Sequence, residues 1–571
     1  MKLQRSLGGA RNAQTTISRE TAMEQISEKH TRVGHLIEVT GADFVAQLIG
    51  EDEGYKPEIV VGNDRIRVGQ VGTYMRVAHS GRNVLTLVES MWQETGAAGE
   101  TVRMVRMNPV GELNQQGDFY RGIAHYPTTG ADVHVVTAEA LTGLFTGYSD
   151  AGYKIGQLSS FESIDAYLDA SSFFGRHVAI LGQSGSGKSW TVTSLVQSAL
   201  KVMPNAHMIL LDLHGEYGLK QTDLRSHSAF PKELTRCIDA DELEMPYWLL
   251  TFTDLVELLI DYEDPDSPVQ IAFLRNTVLE LKREANADMQ NVHITVDTPI
   301  YFSLEDLVKR FKVANEATSS FGKGTTALFG KFDQLLVKLQ SRMNDTRYDF
   351  LLRPARRNSS SSLPELLRDF VGLGEPNAKI TVLDLSAVPY DIHATVTSQI
   401  GRLAFEFNFW NPRCREFPIF LICEEAHSYI TRGDSKEHQQ TRRAMERIAK
   451  AGRKYGVGIC VVSQRPHELS ETVLAQCNSF VCLRISNPDD QEYVRELVPD
   501  AAKGMLDALP TLAQGEAIIV GESVPMPLRV QIFMPNPPPN SSSIDYAGQW
   551  HHGPAEISVE DVVDRWRRQD R

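Results

Sequence analysis

Two short stretches carry residues that could do chemistry together. GQSGSGKS, residues 182–189, fits G-x-x-x-x-G-K-[ST] in full. PIFLICEEAHSY, residues 418–429, is an apolar run that ends in two adjacent glutamates, Glu424 and Glu425. Like charges side by side at the end of a buried strand are costly unless a cation or a proton compensates them. In the first stretch the glycines Gly182, Gly185 and Gly187 let the backbone curl around phosphate. Gln183, Ser184 and Ser186 complete the loop, Lys188 is placed for the β- and γ-phosphates, and the Ser189 hydroxyl is placed for Mg²⁺. The context fits: the apolar run HVAILG precedes the loop, and SWTVTSLVQSAL, with helical character, comes after it.

The glutamate pair is then the expected second half of an ATP site. A parallel strand delivers its C-terminal carboxylates to the edge of the sheet where the phosphate loop lies. By position, Glu424 takes the metal side, through a metal-bound water, and Glu425 polarises the attacking water. Ser189 and Glu424 are therefore the metal candidates. VVSQRP, residues 461–466, is a third strand with a polar end. Its Gln464 either senses the γ-phosphate or is an ordinary strand-end polar residue. LLDLHGEYG places Asp212 and Glu216 at a fourth strand end, where they either reach the sheet edge or cap the loop. Phosphoryl transfer often uses an arginine from a neighbouring subunit. Arg453 and Lys454, at the end of the basic stretch TRRAMERIAKAGRKYG, are candidates beside the alternative of a solvated helix face. Arg176, at the far end of the strand that leads to the phosphate loop, is badly placed in its own subunit.

The elements that must position these residues can be read from periodicity. Six apolar runs (177–182, 208–213, 380–385, 419–424, 458–463 and 480–485) are of the parallel type buried on both faces. They predict an α/β core with a largely parallel sheet over 170–535, which the family resemblance given below makes RecA-like, carrying a helical insertion at about 240–375 that ends in RNSSSSLPE, expected as a loop. Residues 31–155 instead show short alternating runs broken by turn residues, including a hairpin over 74–91. They predict a small β-barrel domain ahead of the core. Residues 1–30 are a polar tail, and 536–571 are a Pro-rich linker and C-terminal tail whose last stretch has amphipathic helical spacing. That tail is long enough to brace a neighbouring subunit.

Bulk composition narrows the class. The 571 residues exceed one core, and 42% apolar with 23% charged content is that of a globular protein. No apolar run reaches the roughly 20 residues of a membrane helix, and MKLQRSLGGARNAQTTISRE has no signal-peptide core. The six cysteines form no CxxC pair, as expected of reduced thiols in a cytoplasmic protein. A net charge of −15 argues mildly against nucleic acid as a partner but constrains only the average over the surface.

RHVAILGQSGSGKS, LDLHGEYG, MPYWLL, NDTRYDF, LDLSAVP, EEAH, GRKYGVG, SQRP and RISNPDDQEYV occur in that order over about 170–530. Together they resemble the HerA family of hexameric ATPases, relatives of the FtsK DNA translocases, in its bacterial form. The 31–155 stretch is similar to the barrel that precedes the motor in that family. The resemblance implies a homohexamer with ATP and Mg²⁺ between subunits, and translocation on double-stranded DNA. It also implies a partner effector docked on the barrel face, either a nuclease of the NurA type or another nuclease or sirtuin-like NADase of anti-phage defence. It raises Arg453 as a trans-acting arginine and marks Arg342 and Arg347 as recurring positions. The competing expectation is a ring scaffold that gathers and activates an effector without processive movement.

Overall fold

The computed structural model describes residues 31–571 apart from 49–54, 62–63, 80, 96–100, 115–118, 150–151, 219–227, 240–241, 243, 290–292, 318–325, 376, 434–438, 542–543, 554–556 and 569–571. The polar tail expected at 1–30 lies outside the described residues. Two compact units emerge, and chain order does not separate them. The first takes the described residues of Met1–Phe173, Leu181–Lys188 and Asn478–Phe533; the second takes those of Phe174–Ile180, Ser189–Cys477 and Met534–Arg571.

In the first unit, alternation of buried and exposed residues gives nine strands: β1 (Arg32–Val39), β2 (Phe44–Leu48), β3 (Glu58–Val61), β4 (Asp64–Arg67), β5 (Tyr74–His79), β6 (Arg82–Thr95), β7 (Thr101–Leu113), β8 (Phe119–Arg121) and β9 (Asp132–Val135). Seven of them take the order β2-β1-β9-β5-β6-β7-β8, and β2 also pairs with β7. That pairing closes six strands into a barrel, which removes the exposed sheet edges. Its interior holds Leu36, Phe44, Val77, Val84, Val88, Val105, Met107 and Val133, all nearly inaccessible. The expected hairpin forms, with His79 opposite Arg82. Further along, β10 (Lys154–Leu158) and β11 (Phe161–Tyr167) join strands near the chain end in the order β11-β10-β20-β19-β18.

The second unit is built on β12 (His177–Leu181), β13 (Met208–Asp212), β14 (Thr235–Ile238), β15 (Ile380–Asp384), β16 (Ile419–Cys423) and β17 (Val457–Ser463), in the order β12-β17-β16-β13-β15-β14. The pairs β13–β15, β13–β16, β14–β15 and β16–β17 are parallel. Five of these runs are apolar with no alternation because helices cover both faces, and every residue of β12, β13, β15, β16 and β17 is buried. The last strands, β18 (Cys477–Cys482), β19 (Glu516–Gly521) and β20 (Leu528–Ile532), belong to the first unit from Asn478 on. There β18 pairs antiparallel with β19.

One helix, α1 (Lys188–Val202), continues the phosphate loop; among the described residues the insertion holds α2 (Phe252–Leu259), α3 (Ser267–Ala285), α4 (Leu304–Glu316), α5 (Asp333–Met343) and α6 (Leu363–Phe370), with a short helical turn at Asp349–Leu352. A Thr251–Asp254 capping box starts α2. Phe273, Phe311 and Phe332 meet at 4.9–5.0 Å between α3, α4 and the start of α5. RNSSSSLPE is not a loop: residues 360–362 form a 3₁₀ turn that runs into α6. Serines alone suggested an unstructured link, but Pro364 sits in the first turn, where its missing N–H costs nothing. Two long helices of the second unit are α7 (His393–Trp410) and α8 (Gln439–Tyr455).

Candidate functional site

The phosphate loop leaves β12 and ends where α1 begins at Lys188. Its glycines are required by shape. Gly187 has φ 101°, and a Cβ there would stand 3.2 Å from the Gly515 nitrogen; a Cβ on Gly182 would meet Ser186 Oγ at 2.7 Å. The loop is stapled by its own unit. Gln183 N donates to the Arg484 carbonyl at 2.9 Å, Gln183 Oε1 accepts from Ser486 N at 2.9 Å, and the Ser186 carbonyl accepts from Gly515 N at 3.1 Å. Lys188 is buried, and its Nζ donates to the Gln183 carbonyl at 3.3 Å. Ser184 and Gly185 are exposed at the tip. The result is a rigid concave loop at a helix N-terminus, with an ammonium inside it, which is the shape and charge that polyphosphate requires.

In the second unit, parallel register brings the ends of β13, β16 and β17 to one side, and with them Asp212, Glu424 and Gln464. Glu424 directly follows β16 and is 6% exposed. Burial, with Glu425, Glu216 and Asp212 nearby, pushes its carboxyl up to about 8, while a hydrogen bond from the Tyr217 hydroxyl to Oε1 opposes that shift. The Tyr429 hydroxyl donates to the Glu424 carbonyl at 3.0 Å. Glu425 has φ 46° and ψ 41°, and among the described residues no other non-glycine has a positive φ. This left-handed kink turns the chain off the strand and costs on the order of 1–2 kcal/mol. Glu425 Oε2 lies 3.3 Å from His427 Nδ1.

Asp212 takes the loop role. Its Oδ1 accepts from Glu216 N at 3.0 Å and its Oδ2 from Tyr217 N at 2.8 Å, which clamps the HGEY turn. Burial, with Asp384 and Glu216 adding, pushes its carboxyl up to about 6 against those N–H donors. Gln464 is half-buried and Arg453 exposed; neither side chain has a hydrogen bond or ion pair among the described residues. The other two arginines are engaged locally. Arg347 forms a two-pronged pair with Asp345, Nη2 to Oδ2 at 2.6 Å and Nε to Oδ1 at 3.0 Å. Arg342 donates to the Leu258 carbonyl and lies 3.8 Å from Asp391. Sequence reasoning missed Tyr217, His427 and Tyr429. Tyr217 sits inside LDLHGEYG, and the other two inside PIFLICEEAHSY, but nothing in their spacing tells which part of the glutamate pair each would touch.

A stapled phosphate loop leading from a strand into a helix, with a parallel sheet whose ends carry carboxylates, defines a P-loop NTPase with a RecA-like core. A family model described as "Helicase HerA, central domain" matches residues 153–404. A protein of Methanocaldococcus jannaschii named as a probable helicase is 27% identical over 492 residues, covering 81% of this chain and 86% of its own. The DNA double-strand break repair helicase HerA of Saccharolobus solfataricus is 25% identical, covering 74% of this chain and 76% of its own. Among solved structures, VirB4 of Thermoanaerobacter pseudethanolicus aligns with TM-score 0.44 and 17% identity, covering 66% of this chain and 96% of that one. Over about three quarters of its length or more the chain is similar to the HerA helicases, and it is an ATP-hydrolysing enzyme. Among the described residues no helix is long and apolar enough to cross a membrane.

Proposed function

We propose that this protein is a homohexameric motor that translocates on double-stranded DNA and works with a partner effector. The carrying observation is the kinked Glu424-Glu425 pair at the end of β16, in a chain that also holds a stapled phosphate loop. The relatives' name as DNA double-strand break repair helicases supports the choice of DNA.

In this reading Gly182–Ser189 bind the ATP phosphates and Lys188 neutralises the β- and γ-oxygens. Glu425 accepts a hydrogen bond from the attacking water and takes its proton as the water oxygen bonds the γ-phosphorus and the bond from that phosphorus to ADP breaks. Gln464 contacts the γ-phosphate and reports its loss. Arg453, exposed and uncommitted, reaches the site of the next subunit. A Mg²⁺ ion suits the donors present. The Ser189 hydroxyl makes no hydrogen bond among the described residues, and Glu424 is a buried carboxylate crowded by others. No cluster of three or more His, Cys, Asp or Glu there would hold an ion alone, so Ser189 and Glu424 would hold it together with phosphate oxygens and water. Bound there, it would neutralise charge on the polyphosphate.

The experiment compares ATP turnover with and without duplex DNA, and tracks displacement of a roadblock on that DNA. Stimulation and displacement are expected, and both should vanish in Lys188→Ala. Equal turnover with and without duplex, and no displacement, would sink the motor reading. If Glu425→Gln then activated an effector fully, the ring would act as an assembly scaffold instead.

A further inference from the structure

Tyr217 is 1% exposed, and nothing in the motor reading uses it. It is fixed from two directions before its hydroxyl reaches Glu424. Its N–H is held by Asp212 Oδ2, and its ring stacks on Phe230 with planes 4° apart at 6.1 Å. The neighbouring Glu216 carbonyl accepts from Asn540 N at 2.9 Å. Asn540 ends a segment tied to α1: Asn536 N donates to Gln197 Oε1 at 2.9 Å, and Gln197 Nε2 donates to the Pro537 carbonyl at 2.8 Å. The turn that carries Tyr217 is therefore pinned by Asp212 on one side and by the chain after β20 on the other. Tyr429 fixes the Glu424 main chain separately, which leaves the Glu424 side chain to Tyr217.

Resting on the function proposed above, we propose that Tyr217 is the positioning residue for Glu424. Its hydroxyl occupies Oε1 and fixes the carboxylate rotamer. Oε2, which makes no hydrogen bond among the described residues, is left to receive a metal-bound water. Outer-sphere hydrogen bonds of this kind orient ligands, and their loss typically costs 10–100-fold in activity or metal affinity.

The test compares wild type, Tyr217→Phe, Glu424→Gln and the double variant. Phenylalanine keeps the ring on Phe230 and removes only the donor. Each protein is melted, titrated with a fluorescent ATP analogue in the absence of Mg²⁺, and assayed for turnover across a Mg²⁺ series. Tyr217→Phe is expected to bind the analogue about as well as wild type, to turn over about 10–100-fold more slowly, and to need about tenfold more Mg²⁺ for half-maximal rate. The double variant should be no slower than Glu424→Gln alone, because the tyrosine acts through that carboxylate. Wild-type turnover and Mg²⁺ dependence in Tyr217→Phe overturn the proposal, as does a double variant in which the two losses multiply. A Tyr217→Phe protein with no folded transition overturns it too, since the hydroxyl would then hold the fold and not the carboxylate. If Glu424→Gln itself matches wild type, the underlying reading of the site fails, and this one with it.

Discussion

Glu425 is held in a conformation that most side chains avoid, and it is the residue assigned the attacking water. Backbone strain at a reacting position persists only when the surroundings over-determine it. Here the buried β16 on one side and the Ala426–Ser428 turn on the other do so. Glycine adopts φ 46° freely, so Glu425→Gly should relieve about 1–2 kcal/mol of strain and lose about 0.5–1 kcal/mol to added freedom of the unfolded chain. The net expectation is a protein at least as stable as wild type that no longer hydrolyses ATP. Glu425→Gln keeps the strain and should match wild-type stability while binding ATP and turning it over poorly. Thermal melts of the two variants, beside ATP binding and turnover, check this. A Glu425→Gly protein well below Glu425→Gln in melting temperature would mean that the kink is not strained.

At the scale of elements, the insertion rests on a buried cation. Lys282 of α3 is 1% exposed, and its Nζ donates to the Val296 and Thr298 carbonyls, each at 2.7 Å. Burial pulls its ammonium down from 10.5 to about 8, although Asp297 nearby pulls the other way. The unfolded chain therefore keeps this proton up to about pH 10.5, while the folded chain releases it near 8. Between those values the unfolded state binds more protons, so this group makes stability rise with pH there. Lys282→Met should lose that rise and should also cost about 1–3 kcal/mol by leaving two buried carbonyls unpaired. Melting both proteins from pH 7.5 to 10 and subtracting isolates the lysine; parallel curves would refute the assignment. None of this was legible beforehand, because a lysine in LELKREA looks like any solvated helix residue. The strands were legible, because two-faced burial writes unbroken apolar runs, as in ILL of β13 and FLI of β16. The phosphate loop was legible because its shape demands glycine at fixed places. What the sequence hid were contacts across long separations, such as Tyr217 with Glu424, and the helix hidden behind RNSSSSLPE.

At the scale of the whole molecule, the proposed ring makes a demand that one chain cannot meet. Arg453 ends α8 exposed and without a partner among the described residues, whereas Arg342 and Arg347 are already engaged. If Arg453 completes a neighbour's site, Arg453→Ala should bind ATP normally and lose turnover by a factor on the order of 10³. Lys188→Ala should fail through its own phosphate loop. Each protein is then inactive alone for a different reason, and the two defects sit on opposite sides of a head-to-tail contact. In rings mixed at equal ratio, roughly a quarter of contacts pair an intact loop with an intact arginine, because the interface is heterologous and the two partners are drawn independently. Turnover should therefore reappear on mixing, and it should peak near equal ratio. An arginine acting within its own subunit predicts no recovery at any ratio. Turnover measured across a mixing series, after subunit exchange has been verified by mass, separates the two outcomes.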